Sequence, residues 1–254
     1  MVALKVKDLC KTYVVNKRQN NVIKNVSFEI EQGEMVAVMG PSGSGKSTLL
    51  YTVSGMDRPT AGEVILGDKR ITALSDKEMA KVRLMDMGFI FQQMHMLKNL
   101  TVMDNILLPA FEAKDDKRSR DEIVEYCKEL MKKLDIIDIA DNDITEVSGG
   151  QLQRACICRS LINQPKLIFA DEPTGALNRA NTCEVLKELN RLNEEGTTLM
   201  IVTHDNRVAA QCSRVLYIVD GNIKGEISLG KIKEEESIRD RERKVNNWLE
   251  ELGW

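Results

Sequence analysis

Two periods alternate along this chain. Val2 to Val6 and Asn21 to Ile30 switch between apolar and polar residues, the first in the manner of an edge strand, the second ahead of a turn at Gln32-Gly33. Lys11-Thr12-Tyr13 falls between them. Short apolar runs at Met35–Met39, Gly88–Phe91, Lys166–Ala170 and Thr198–Val202 predict further strands, and those at Gly88 and Lys166 read as strands buried on both faces. Glu63–Leu66 adds a short strand, and Arg214–Val219 closes the sheet before the turn Asp220-Gly221-Asn222.

Elsewhere the period lengthens to that of a helix. One helix continues from Leu49, and the pairs Ser75/Glu78, Ser119/Glu122 and Ser148/Gln151 have the spacing of capping boxes that start others. After Ser119, the residues Ile123, Cys127, Leu130, Met131 and Leu134 recur on one face, so Met94 to roughly Asn142 reads as helical. Its first part, Met94–Leu108, carries an apolar surface that suits either plain core or a partner helix. A helix over Thr182–Leu192 follows. In the charge-rich tail from Glu226, Val245, Trp248, Leu249 and Leu252 form an apolar stripe, read as a terminal amphipathic helix docked on its own domain. The pattern predicts an α/β domain over 1–225 with a helical subdomain inserted at about 94–160, and an extension over 226–254.

Composition narrows the function classes. The 254 residues are 43% hydrophobic and 30% charged, ordinary for a globular chain long enough for a proper core. A net charge of -3 argues against a protein that coats nucleic acid. No apolar run approaches the ~20 residues of a bilayer span, and MVALKVKDLC lacks a signal-peptide core. A cytoplasmic chain is expected, with any membrane role supplied by a separate partner. The six cysteines show no CxxC pairing, and the two histidines, His95 and His204, make no cluster with them; reduced thiols are expected, not zinc or a disulfide framework.

The candidate chemistry centres on GPSGSGKST, comprising Gly40, Pro41, Ser42, Gly43, Ser44, Gly45, Lys46, Ser47 and Thr48. It follows a predicted strand and opens a helix, the context that a phosphate-binding loop requires. The glycines permit a tight wrap, so backbone N–H groups converge on phosphate oxygens at the positive helix end. Lys46 is placed for the β- and γ-phosphates, Ser47 for Mg²⁺ and Thr48 for the α-phosphate. The chain is therefore expected to bind a nucleoside triphosphate with Mg²⁺.

Further signals follow in order. Gln92 ends the strand at Gly88, where its carbonyl suits Mg²⁺ or an attacking water; taken alone it is a polar strand terminus. Ser148-Gly149-Gly150-Gln151 opens a helix, and the same helix start is either an ordinary cap or an anion site for another molecule's γ-phosphate. Asp171 and Glu172 end an apolar strand, the edge at which ligands bind in open α/β sheets. Asp171 suits Mg²⁺ through water, and Glu172 suits activation of a hydrolytic water. His204 ends another strand and is assigned to a γ-phosphate hydrogen bond. Tyr13 could offer a ring face to an adenine, although a lone tyrosine near a strand end is more often ordinary packing, so that role depends on the resemblance below.

The order Tyr13, Gly40–Thr48, Gln92, SGGQ, Phe169-Ala170-Asp171-Glu172 and His204 resembles the ATP-binding subunits of ABC transporters over essentially residues 1–225. GFIFQQ, LTVMDNILLP and ADEPTGALN resemble more narrowly the group concerned with macrolide export, lipoprotein release and bacitracin resistance. The resemblance implies a RecA-like P-loop NTPase core with an antiparallel β edge and an inserted α-helical subdomain that meets a membrane permease. It further implies ATP and Mg²⁺ as ligands, Tyr13 stacking on adenine, a homodimer in the ATP-bound state, and a place on the cytoplasmic face of the membrane. Two residues depart from the pattern. Val147 stands where leucine is commonest, and Asn178 stands where the family has aspartate, removing a charge that helps couple two ATP sites. The expected function is ATP hydrolysis energising export of, or resistance to, antimicrobial peptides or antibiotics, with lipoprotein release as the alternative. A soluble ATPase of DNA repair or translation would carry two cassettes or a coiled-coil insertion, and an unrelated P-loop kinase would have no use for SGGQ.

Overall fold

The computed structural model describes residues 1–113, 117–232 and 236–254. They form two compact units, one of Met1–Met79 with Asn193–Trp254, the other of Ala80–Leu192.

In the first unit, β1 (Val2–Val15) pairs antiparallel with β2 (Arg18–Glu31) on one side and with β4 (Ala61–Leu66) on the other; β5 (Lys69–Arg70) pairs with β4. Leu4 lies opposite both Ile30 and Leu66, so Val2–Val6 is not an edge segment as expected, and Lys11-Thr12-Tyr13 lies inside β1 rather than between strands. The register shifts between Val6 and Leu9 and again between Leu9 and Thr12. Each bulge resets which residues face inward, and the simple alternation is lost to the eye. At the crossing of β1 and β4, Gly62 has φ +92, and a Cβ there would lie 2.4 Å from the Asp8 carbonyl oxygen. Only glycine fits that approach.

The parallel part of this unit is built on β3 (Met35–Met39), which is buried throughout. β8 (Leu199–Val202) and β9 (Arg214–Val219) flank it, with Val38 opposite Val202 on one side and Leu216 on the other. The sheet does not close at Val219: β10 (Asn222–Ser228) turns back antiparallel to β9. Its residues are half or fully exposed, so NIKGEIS carries little of the apolar signal that marks an inner strand.

Two helices complete this unit beyond β8. α7 (Asn206–Ala209) follows His204 after a single residue, and α8 (Ile238–Glu251) lies against it, with the Asn206 amide donating to the side-chain oxygen of Asn246. Val245 and Leu249 are buried, as the stripe predicts, and so is Arg241. Its guanidinium donates to the carbonyls of Ala210 (2.7 Å), Cys212 (2.7 Å), Gly230 (2.9 Å) and Leu229 (3.1 Å), and to Glu236 (2.9 Å). Trp248 and Trp254 meet Tyr217 edge-on at 6.2 and 5.7 Å between ring centres.

In the second unit, β6 (Met87–Phe91) and β7 (Leu167–Asp171) run parallel with Phe91 opposite Asp171. Helices α3 (Val102–Glu112), α4 (Arg120–Lys133), α5 (Gly149–Leu161) and α6 (Arg179–Glu194) surround a core that includes Ile106, Cys127, Met131 and Ile157. The close approach of β6 to α5 requires Gly88, because a Cβ there would lie 2.5 Å from the Ser160 carbonyl oxygen. Met94–Leu100 is not helical, contrary to expectation. The buried Asn105 side chain takes the Leu97 N–H at 2.7 Å and donates to the Leu97 carbonyl at 3.1 Å and the Leu100 carbonyl at 3.3 Å, giving that segment hydrogen bonds that a helix would otherwise supply. Helix α3 starts instead at the Thr101 cap, where the hydroxyl accepts from Asp104 N–H at 3.1 Å.

Candidate nucleotide site

In the first unit, β3 delivers the glycine loop and α1 (Lys46–Val53) continues out of it, as the sequence predicts. Gly45 is the residue before the helix, at φ +100, and a Cβ there would lie 2.9 Å from the Val22 carbonyl oxygen. The Lys46 ammonium folds back over the loop, donating to the carbonyls of Gly40 at 2.8 Å and Pro41 at 3.0 Å. Among the described residues the buried Ser44 hydroxyl has no hydrogen-bond partner, and Gly43 has nothing within 4 Å of where a Cβ would stand. A buried hydroxyl without a partner costs free energy, on the order of 1–3 kcal/mol, that an incoming phosphate oxygen would relieve. The loop, its lysine and the N-terminus of α1 thus fit a polyphosphate.

His204 belongs to the same unit. The parallel register of β3 with β8 brings the segment after Val202 level with Met39 and Gly40, and Thr203 N–H bonds the Val38 carbonyl at 3.1 Å. His204 lines a cavity of about 520 Å³ together with Gly40, Pro41, Ser42, Tyr217 and Trp254. Asp205 caps α7 and pairs with Arg207 at 2.6 Å; burial pulls its carboxyl upward, and the hydrogen bonds and charge of Arg207 outweigh this to hold it below the usual range.

Tyr13 also lies in this unit, 36% exposed, with its hydroxyl donating to Asp57 at 2.6 Å. Burial, then the bond and charge of Asp57, push the phenol above its usual value. Asp57 and its partner Lys11 were not singled out from the sequence. The one available signal was the turn Asp57-Arg58-Pro59 directly behind the phosphate-loop helix.

The second unit holds the remaining candidates. The pairing of Phe91 with Asp171 places Gln92 and Glu172 as the next residues of neighbouring strands. A Cβ on Gly175 would lie 2.9 Å from Gln92 Nε2, so the glutamine side chain lies against the segment that follows Glu172. Glu172 itself has φ +49, a conformation few non-glycine residues adopt, closed by a Gly175 N–H bond to its carbonyl at 3.0 Å. Such local strain is concentrated at functional positions.

Ser148 caps α5 with the predicted capping box: its hydroxyl accepts from Gln151 N–H at 3.3 Å, and its own N–H donates to Gln151 Oε1 at 2.8 Å. Gly150 packs onto α6, where a Cβ would lie 2.8 Å from Asn181 Cγ. Asn178, in place of the expected aspartate, accepts from Asn181 N–H at 2.9 Å and starts α6. An amide oxygen caps a helix as well as a carboxylate does, so the local backbone needs no negative charge there. The structure therefore groups Tyr13, Gly40–Thr48 and His204 in one unit and Gln92, Ser148–Gln151, Asp171 and Glu172 in the other.

Over residues 23–175 the sequence matches the ABC transporter family. It is 40% identical over 231 residues to the bacitracin export ATP-binding protein BceA of Halalkalibacterium halodurans, covering 91% of this chain and 90% of that protein. It is 41% identical over 228 residues to the macrolide export ATP-binding/permease protein MacB of Campylobacter jejuni subsp. jejuni, covering 90% of this chain but 34% of that protein. Among solved structures, the dimeric bacterial ABC transporter cassette MJ0796 superposes with a TM-score of 0.82 at 38% identity, covering 90% of this chain and 100% of MJ0796. A dimeric post-hydrolysis state of the same cassette, bound to ADP and Pi, gives 0.82 at 37% identity.

Proposed function

The chain belongs to the ABC transporter family and is an ATPase with the P-loop α/β fold of that family, and on that premise we propose that it energises a separate membrane permease for export of antimicrobial peptides or antibiotics. Likeness to ATP-binding proteins named for bacitracin and macrolide export supports this substrate class. Among the described residues no helix is long and apolar enough to cross a membrane, which fits a subunit that works through a permease.

The observation that carries the mechanism is that the first unit has a glycine loop whose lysine folds over it at the start of α1, and the second unit has a further helix start, at α5, with a serine cap and two glycines suited to phosphate oxygens. In this reading Gly40–Thr48 hold the triphosphate, Tyr13 stacks on the base, and Ser148–Gln151 of a second copy approach the γ-phosphate. The second copy completes each site by twofold symmetry. Ser47, Gln92 and Asp171 are the residues that would hold Mg²⁺, which supplies charge neutralisation at the β- and γ-phosphates. Glu172 takes the proton of the attacking water, Gln92 orients that water, and His204 donates to the γ-phosphate. ATP then favours a closed pair and hydrolysis releases it, providing the stroke.

The test uses Glu172→Gln, which keeps the side-chain shape and removes the base. It should bind ATP normally, hydrolyse it roughly a hundredfold more slowly, and sediment as a dimer with ATP. Adding Ser148→Arg should abolish that dimer while ATP still binds. Near-normal turnover would reassign the base, and an ATP-dependent dimer that survives Ser148→Arg would remove Ser148 from the shared site.

A further inference from the structure

Tyr13 is fastened chiefly by groups outside the phosphate loop, although the Thr48 side chain at the end of that loop also hydrogen-bonds its phenol. Its hydroxyl donates to Asp57 Oδ2 at 2.6 Å, and the other oxygen of the same carboxylate takes the Lys11 ammonium at 2.6 Å. Lys11 is buried, donates also to the Arg58 carbonyl at 2.6 Å, and stands 4.8 Å from the centre of the Tyr13 ring. Asp57 is in turn fixed to the end of the phosphate-loop helix, its N–H bonding the Tyr51 carbonyl at 3.0 Å. Both carboxylate oxygens are thus engaged, one by the phenol and one by the ammonium. The phenol has one donor, and tying it down leaves the ring a narrow range of orientations.

We propose that Asp57, with Lys11, is a positioning residue for the base of the bound nucleotide: it holds the Tyr13 ring at a fixed place relative to the phosphate loop. The proposal rests on the reading of Tyr13 as the adenine platform. The geometry supports it in three ways. The tether joins β1, which carries the ring, to the far end of α1, whose near end carries Lys46, so base and phosphate subsites share one rigid element. The tether occupies the hydroxyl edge and leaves the ring 36% exposed for stacking. Lys11 adds a cation beside the ring and neutralises the carboxylate, so no uncompensated negative charge faces a nucleotide that is itself an anion. A ring ordered before binding loses less freedom when the base arrives, and affinity rises for that reason.

The prediction is specific to the base. Binding of ATP and of inorganic tripolyphosphate, both with Mg²⁺, is measured by calorimetry on the full chain. Asp57→Ala should weaken ATP about five- to tenfold, the scale of one charge-assisted hydrogen bond that is partly exposed, and leave tripolyphosphate within about twofold. Tyr13→Phe, which keeps the ring and loses its bonds to both Asp57 and Thr48, should weaken ATP by at least as much. Asp57→Asn, which keeps an acceptor for the phenol and loses the charge for Lys11, should fall between and guards against a variant that folds poorly. In a Tyr13→Ala background, Asp57→Ala should cost ATP nothing further. Equal weakening of both ligands by Asp57→Ala would show a general structural role and overturn the proposal. So would an unchanged ATP affinity in Asp57→Ala while Tyr13→Ala weakens ATP selectively, an outcome that leaves the platform reading standing. If Tyr13→Ala itself spares ATP, the platform reading fails and the tether with it.

Discussion

Replacing Arg241 by Met would test how α8 is held to the rest of its unit. Methionine keeps most of the unbranched stem, so the apolar packing of the side chain is retained and the guanidinium alone is removed. Arg241 is fully buried and donates to four backbone carbonyls, those of Ala210, Cys212, Gly230 and Leu229. Each charge-assisted bond is worth ~1.5–3 kcal/mol when nothing replaces it. Four such terms do not simply add, because α8 can open and let water reach the carbonyls once the cost exceeds its docking energy. The expected loss is therefore the ~3–5 kcal/mol typical of removing one partner from a buried charged network. The bond to Glu236 lies at the wet end of the guanidinium and is left out of that figure. For a chain of this size the loss corresponds to a fall in melting temperature of about 6–20 °C. Thermal melts followed by far-ultraviolet circular dichroism would measure it, with Arg241→Lys giving a smaller fall because an ammonium has three donors and no fork. A fall below about 2 °C in Arg241→Met would refute the reasoning, since the carbonyls would then be satisfied without the arginine.

Two further outcomes are expected. Burial pulls the Asp57 carboxyl up, but the bonds from Lys11 and Tyr13 with the Lys11 charge win, and its folded pKa lies below the usual value. A depressed carboxylate contributes stability above its unfolded pKa and loses it as pH falls through the folded one. The gap in urea midpoint between wild type and Asp57→Asn should therefore shrink as pH is taken from about 5 to about 3, and a gap that is constant over this range would contradict the assignment. On α3, Leu108 and Phe111 are 38% and 36% exposed; Leu108→Glu with Phe111→Glu should leave ATPase activity of the isolated chain within about twofold and abolish transport in cells. Loss of ATP binding in that variant, with the permease still attached, would count against the surface as the permease contact.

How much of this could be read beforehand depended on whether the determinants were local. The glycine loop was legible because its conformation, its helix and its lysine all lie within a few residues. The capping boxes at Ser75, Ser119 and Ser148 were legible for the same reason, each being a reciprocal pair three residues apart. The course of β1 was not, because bulges near Asp8 and Cys10 shift the facing of every later side chain and only the partner strands reveal the new register. Met94–Leu100 looked helical by its neighbours' composition, whereas a side chain eight residues from Leu97, that of Asn105, decides its backbone. Asp57 and Arg241 were hidden more deeply. Each is one charge among many in sequence, and each acquires its role from groups dozens of positions away, Lys11 and Tyr13 for one, Ala210 and Cys212 for the other. The strain at Glu172 was equally invisible, although the residue itself was assigned from its position after a buried strand.

The packing of α8 gives the protein a built-in optical reporter. The chain has two tryptophans, and both lie on this helix or just beyond it, edge-on to Tyr217 of β9. Fluorescence excited selectively in the indoles therefore follows the docking of one C-terminal helix, and Trp254 follows the cavity that it shares with His204 and the glycine loop. Quenching by iodide would count the openings of that helix in molecules whose sheets remain intact. A denaturation curve recorded by this signal measures local opening, which lies at or below the free energy of global unfolding. Taken as the stability of the whole chain, it would be an underestimate whenever α8 lets go first.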